Sequence, residues 1–179
     1  MRTKRTIGEI EVALAKKFDY IRNLVVFNVN GWSEKLPIYH ECDMLSMSKR
    51  GYLTEVEIKR TWSDFLADFK KTHKHDNRGI IKYFYYCIPK DMLEKAYDKL
   101  SENNVTYSGI ITYNEDLYFE THPYRSKDGS KIFDFKMKSF KALDEEGRFE
   151  LARLGAIRIV GLKEKINRLN EKLSKVDDI

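Results

Sequence analysis

Two hydrophobic periods alternate along the first two thirds of the chain, and they predict helices interleaved with short strands. Thr6 and Glu9 have the spacing of a capping box, and an apolar stripe from Ile7 to Ile21 follows on the helix it opens. The near-continuous apolar and aromatic run over 80–88 is typical of a central strand buried on both faces. The predicted elements are a helix over 6–20, strands over 24–29, 38–47 and 52–59, a helix over 61–73, a strand over 80–88, a helix over 91–100, and strands over 105–113 and 117–121.

This order of elements mixes a hairpin with strand–helix–strand crossovers, so the sequence predicts an α/β fold in which helices cover a mixed sheet. We expect an α/β domain over 1–122, a basic irregular connection over 123–143 and a C-terminal helical extension over 144–179. Apolar residues in the extension recur at alternating spacings of three and four, the pattern of a coiled-coil seam. This helix either docks on its own domain or joins two copies in a homodimer. The seam residues are Ile159, Leu162, Ile166, Leu169 and Leu173.

Composition narrows the class of protein without identifying its function. The formal net charge of +5 leans mildly toward phosphate-bearing partners, and the mixed signs of the charged residues argue against global disorder. No apolar run is long enough to cross a bilayer, and no secretory signal opens the chain, so we expect a cytoplasmic protein with no membrane contact. The two cysteines, Cys42 and Cys87, are expected to be buried free thiols that take no part in a metal-ligand cluster.

The strongest chemical signal is a group of charged residues on two neighbouring strands that are otherwise apolar. Glu55, Glu57 and Lys59 alternate along one strand and therefore share one of its faces, and Asp43 lies on the strand before it. Carboxylates on adjacent strands, with the Ile58 carbonyl as a third oxygen, form a ligand set for a hard cation such as Mg²⁺. Lys59 then has the position to orient water and to stabilise charge on a phosphoryl group. The pattern predicts a metal-dependent phosphodiester site.

The order of strands around these residues resembles the PD-(D/E)XK nuclease superfamily, whose motif is an acid on the second strand and acid-x-Lys on the third. Asp43 and Glu57-x-Lys59 match it, although Cys42 stands where the family often has proline. Residues 57–70, EIKRTWSDFLADFK, also look like the E-x-K-x-S-x-x-D-F-x-x-D-x-K run of MmcB-like DNA-repair proteins, with one residue more. The resemblance implies a restriction-endonuclease-like fold with an α-β-β-β-α-β core, bound Mg²⁺ (with Mn²⁺ as a substitute) and DNA as the partner.

The resemblance leaves two functions open, a deoxyribonuclease acting in DNA repair or processing and a DNA-binding or scaffold protein without turnover. Metal binding by Asp43, Glu57 and Ile58 belongs to the first. Further residues are either auxiliary to the site or solvated charges, and Glu55 in particular is either a ligand or a rim charge. The auxiliary candidates are Glu11, Glu41, Glu55, Ser63 and Asp64, and the candidate DNA contacts are Lys70, Lys71, Lys74 and Arg78.

Overall fold

The computed structural model contains the helices and strands in the order that the sequence predicts. It describes residues 5–30, 33–70, 79–125, 131–132 and 140–177. The elements are α1 (Ile7–Lys17), β1 (Leu24–Asn30), β2 (Glu41–Met47), β3 (Leu53–Ile58), α2 (Trp62–Asp68), β4 (Ile81–Pro89), α3 (Leu93–Glu102), β5 (Ser108–Tyr113), β6 (Phe119–His122), β7 (Tyr124–Arg125), β8 (Lys131–Ile132) and α4 (Glu145–Asp177).

Six strands form one mixed sheet in the order β1-β2-β3-β4-β5-β6. The pairs β1/β2, β2/β3 and β5/β6 are antiparallel, whereas β3/β4 and β4/β5 are parallel. Parallel neighbours need a crossover, which α2 and α3 supply. The β2–β3 hairpin closes through Gly51, which has a φ of 83° and donates its N–H to the Ser48 carbonyl. The prediction of a mixed α/β sheet covered by helices is therefore confirmed.

Hydrophobic cores lie on both faces of the sheet. On one face, here called the α1 face, Ile10 and Leu14 pack against Met44, Val56 and Cys87. The opposite face, here called the α2 face, is covered by α2, α3 and the first part of α4. Its core includes Leu45, Phe65, Phe84, Tyr86, Leu100 and Leu151. Strand β4 contributes to both cores, as the apolar run over 80–88 predicted.

Several element boundaries differ from the predictions for local reasons. The capping box at Thr6 and Glu9 forms, but α1 ends at Lys17 because Asp19 has a φ of 51° that a helix cannot continue. Ile21 is consequently 82% exposed and is not part of the apolar stripe. Helix α2 ends at Asp68, five residues before the predicted end. Residues 71–78 lie outside the described part of the chain.

Helix α4 leaves the body of the protein about a third of the way along its length. Leu143 and Leu151 are buried in the α2-face core, and Gly155 lies directly against Val26 of β1. All the residues over 156–174 are exposed. The alternative in which the helix docks on its own domain is confirmed for its first part only, because the five seam residues are 47–64% exposed. The homodimer stays a prediction.

The chain returns to the sheet after the basic connection. Phe140 bridges to Gly79, and the N–H of Leu143 donates to the Gly51 carbonyl. The connection is not irregular throughout, contrary to the prediction, because β7 and β8 form a two-stranded antiparallel ladder within it. Residues 126–130 and 133–139 lie outside the described part of the chain. None of the described helices combines the length and the apolar character that crossing a membrane requires.

Candidate functional site

The regular alternation of side chains breaks where β1 passes β2. Phe27 pairs with Met44 and Val29 pairs with Cys42, so Asn28 lies opposite Asp43. Asn28 has a φ of 51°, a left-handed conformation that asparagine tolerates better than most residues. In a regular strand, residues two or four apart face the same side. Here, in both strands, residues three apart face the α2-face core. These residues are Val26 and Val29 in β1, and Cys42 and Leu45 in β2.

The side chain of Asp43 closes the gap that this break leaves between β2 and β3. Its Oδ2 accepts a hydrogen bond of 2.7 Å from the N–H of Ile58. The next N–H, that of Lys59, points the other way and donates to the Cys87 carbonyl of β4. Because the N–H and C=O of a strand residue face the same neighbour, we expect the Ile58 carbonyl also to face β2. The structure thus brings Asp43 to the Glu57-Ile58-Lys59 segment.

Lys59 lies in a buried ionic cluster on the α2 face. Its Nζ is 2.8 Å from Glu57 Oε2 and 3.1 Å from Asp68 Oδ1. Tyr86 donates its hydroxyl to Asp68 Oδ2 at 2.9 Å. Glu57 is 2% exposed and Lys59 is 4% exposed, so solvent contributes little to holding these charges. The cluster pairs one cation with two carboxylates.

The electrostatics of this cluster limit what Lys59 can do chemically. Burial by itself lowers the pKa of Lys59, but the carboxylates of Glu57 and Asp68 outweigh burial and raise that pKa above its ordinary value. Burial, and then the charge of Asp68, raises the pKa of Tyr86 well above its ordinary value. Lys59 is therefore a permanent cation at neutral pH, suited to orienting groups and stabilising anionic charge rather than to accepting a proton.

A second buried polar cluster adjoins the first along β3. Glu55 Oε1 is 2.6 Å from His40 Nε2, and Cys42 Sγ is 3.5 Å from the same nitrogen. The interpretation of Glu55 as a rim charge is wrong, because its exposure is 0%. Burial raises the pKa of the Cys42 thiol, and the charges of Glu55 and Glu57 raise it further.

One expectation for the cysteines is confirmed: Cys42 and Cys87 are both buried free thiols. The expectation that they take no part in a metal-ligand cluster stays a prediction. It is open to question for Cys42, because donor atoms of His40, Cys42 and Glu55 all lie within 4.8 Å of one another.

The remaining auxiliary candidates lie apart from Lys59. Glu11 is on α1, which covers the opposite face, and its Oε1 accepts from Asn28 Nδ2 at 3.0 Å. Glu41 is exposed at the first residue of β2. Ser63 and Asp64 are exposed in the first turn of α2, where Thr61 is the N-cap that accepts from the N–H of Asp64.

The candidate DNA contacts can be placed only in part. Lys70 is exposed, two residues beyond Asp68, the last residue of α2. The other three, Lys71, Lys74 and Arg78, lie outside the described part of the chain.

The sequence did not predict a role in the site for five residues of the two clusters and their surroundings. For one of them the sequence contains an indication: Asp68 is three residues after the inward-facing Phe65, so it shares the buried side of α2. A charge at that position indicates a buried partner. The others depend on contacts between residues distant in sequence. The missed residues are Asn28, His40, Cys42, Asp68 and Tyr86.

Comparisons with known proteins bear on the fold. No protein-family model matches the chain, and no curated protein matches it. A solved structure, that of a protein of unknown function from Silicibacter pomeroyi, is similar over 92% of this chain and 94% of its own, with a TM-score of 0.56 and 13% sequence identity. Fold and site together define a mixed α/β protein with a six-stranded sheet, four α-helices in the described part of the chain, and two buried polar clusters on β3.

Proposed function

We propose that this protein is a Mg²⁺-dependent deoxyribonuclease on a restriction-endonuclease-like fold. The observation that carries the proposal is the hydrogen bond from the Ile58 N–H to Asp43 Oδ2, which holds an acid of one strand against the Glu-Ile-Lys segment of the next. The element order α-β-β-β-α-β and the resemblance of the acidic motif to PD-(D/E)XK nucleases support it as well.

The donors near Asp43 fit a hard cation. Asp43 and Glu57 offer carboxylate oxygens, and Ile58 offers a carbonyl oxygen, which is the ligand chemistry that Mg²⁺ prefers. When bound, Mg²⁺ polarises a phosphoryl oxygen and lowers the pKa of a bound water. Mn²⁺, with similar ligand preferences, is the expected substitute.

The residues around the metal ligands have separate tasks in this proposal. Lys59, a cation held by Asp68, orients the attacking water and stabilises the negative charge that develops on phosphorus. Tyr86 positions Asp68 through its hydroxyl, so it acts through Lys59 and does not touch substrate. Lys70 is the described candidate for a contact with the DNA backbone.

The test is cleavage of plasmid and of short single- and double-stranded DNA with Mg²⁺, with Mn²⁺ and with chelator. Asp43→Asn is the primary variant, because an amide oxygen can still accept the Ile58 N–H and the fold is preserved. We expect the rate to fall roughly 100-fold or more, since metal-ion stabilisation of the transition state is worth several kcal/mol. Glu102→Gln, an exposed acid that pairs with Lys99, is the matched control and should cleave normally. Cleavage that survives both Asp43→Asn and chelator would refute the proposal.

A second function, DNA binding without turnover, is favoured by the burial of the site. Glu57 and Lys59 are paired with each other through Glu57 Oε2 and are almost inaccessible, so a metal can reach Glu57 only if the buried cluster opens. This alternative predicts no cleavage and DNA affinity that falls steeply with salt but does not depend on divalent metal. Binding measured at several salt concentrations, with and without Mg²⁺, separates the two functions.

A further inference from the structure

His40, Cys42 and Glu55 bring three different donor atoms to one place. The imidazole Nε2 is 2.6 Å from the carboxylate Oε1 and 3.5 Å from the thiol sulfur. All three atoms lie within 4.8 Å of one another, so small shifts of the side chains would let a single ion contact each of them in place of the direct His40–Glu55 contact. The residues come from the approach to β2, from β2 itself and from β3, so the cluster is held by the sheet rather than by one flexible loop.

The cluster forms because the alternation of side chains between the two faces of the sheet is interrupted at Asn28 and Asp43. Glu55 pairs with Leu45, so both residues face the α2 side of the sheet. Cys42 lies three positions before Leu45, and strict alternation would turn it to the opposite face. The break returns Cys42 to the face of Glu55.

Burial and charge make the cluster suitable for a cation. Cys42 and Glu55 are fully buried, whereas the His40 side chain keeps 15% of its exposure and marks the way in from solvent. The buried Glu55 carboxylate already contacts His40, and a bound cation would add to the stabilisation of its charge. A divalent ion bound by a thiolate, a carboxylate and a neutral imidazole leaves no net charge at these three residues.

The donor set selects the kind of metal. Sulfur and imidazole nitrogen are ligands of Zn²⁺ and other first-row transition metals, whereas Mg²⁺ takes oxygen ligands. Three protein ligands leave a fourth tetrahedral position for water. We propose that His40, Cys42 and Glu55 form a Zn²⁺ site, separate from the Asp43 and Glu57 ligands and different from them in metal preference.

Metal binding to the wild-type protein is the first test. Protein stripped with chelator is titrated with Zn²⁺ by calorimetry and with Co²⁺ by absorption spectroscopy. We expect one ion per chain, a cobalt–thiolate charge-transfer band, and a rise in melting temperature of roughly 5–10 °C at a hundredfold excess of Zn²⁺ over Kd. A large excess of Mg²⁺ should not displace the ion. Absence of the thiolate band, or displacement by Mg²⁺, would overturn the proposal.

Variants locate the ion on the chain. His40→Gln and Cys42→Ser should weaken Zn²⁺ binding by more than about 100-fold, since even the loss of an outer-shell partner costs roughly 10–100-fold. His122→Gln and Cys87→Ala are the matched controls: His122 contacts Thr112, and Cys87 is buried in the α1-face core. Both controls should bind one ion normally, and circular dichroism establishes that each variant is folded. Zn²⁺ binding that persists in the folded Cys42→Ser protein places the ion elsewhere and refutes the site.

The two proposals fail independently. DNA cleavage that requires Asp43 without Zn²⁺ binding would remove this site and keep the nuclease. Zn²⁺ binding in a protein that does not cleave DNA would keep this site and remove the nuclease.

Discussion

At the scale of single residues, the central fact is a lysine buried between two carboxylates. Taking Lys59, Glu57 and Asp68 out of water costs several kcal/mol per ion, and two ion pairs and the Tyr86 hydrogen bond offset part of that cost. Removing one member therefore costs more than removing an exposed ion pair, because the remaining charges stay buried. The cluster makes Lys59 important for stability as well as for the proposed chemistry.

We predict that Lys59→Met lowers the free energy of unfolding by about 3–5 kcal/mol, measured by urea denaturation. The raised pKa of Lys59 means that its contribution is fully present below its unfolded pKa of about 10.4 and is lost only when the pH rises through the higher folded value. Lys59 should thus lose none of its contribution between about pH 6 and pH 9, and the variant should remain less stable than the wild type across that range. Lys90→Met is the control, since its pairing with Glu120 is exposed and its loss should cost less than about 1 kcal/mol. A Lys59→Met protein as stable as this control would contradict the role of the cluster.

At the scale of elements, the start of α4 is part of the α/β unit. Leu151 is buried in the same core as Leu45 and Phe84, and Gly155 lets the helix backbone approach β1. A Cβ built on Gly155 would lie 2.7 Å from Cγ1 of Val26, closer than packed atoms come. Gly161, in the same helix, has nothing within 4 Å of the corresponding position. The two glycines therefore have opposite consequences for substitution.

We predict that Gly155→Ala destabilises the protein by about 1–3 kcal/mol, because the stiff side chain of Val26 must move. Gly161→Ala should leave the free energy of unfolding unchanged or raise it by up to about 1 kcal/mol, since alanine has the higher helix propensity. Thermal and urea unfolding of the two variants measure the difference. If Gly155→Ala proves as stable as Gly161→Ala, the close packing of α4 on β1 is incorrect.

At the scale of the whole molecule, the outer part of α4 presents an apolar seam to solvent. Ile159 and Ile166 at two of the three a positions, with Leu at both d positions, are typical of two-stranded coiled coils, and this supports a second copy of this chain as the occupant. The positions beside the seam carry mostly positive charge, so two copies bring like charges together in either orientation. These flanking residues are Arg158, Lys163, Lys165 and Lys172.

We predict a homodimer that becomes tighter as salt is added, because salt screens the repulsion and leaves the apolar contact. Sedimentation at low and high salt measures the association, and a chain lacking residues 156–179 should remain monomeric throughout. Leu169→Lys should abolish the dimer, whereas Asn167→Lys adds the same charge outside the seam and should not. A full-length chain that stays monomeric at high salt would remove the dimer.

The local features of this protein follow from its sequence alone. Patterns over two to four residues predict the types and order of the elements, because neighbours along the chain determine them. The same patterns predict the capping box at Thr6, the buried strand β4 and the burial of both cysteines. The proximity of Asp43 to Glu57-Ile58-Lys59 also follows, since hairpin register places adjacent strands side by side.

Only the tertiary structure decided which partners those residues have. Asp68 reaches Lys59 through the packing of α2, and Cys42 joins His40 and Glu55 through a break in two paired strands that strict alternation does not predict. The exposure of the outer part of α4 likewise depends on where the sheet ends beneath it. Periodicity determines which face of the sheet a residue occupies only while the strand stays regular. The left-handed residue Asn28 interrupts that regularity, and contacts between distant segments decide which side chains pack together.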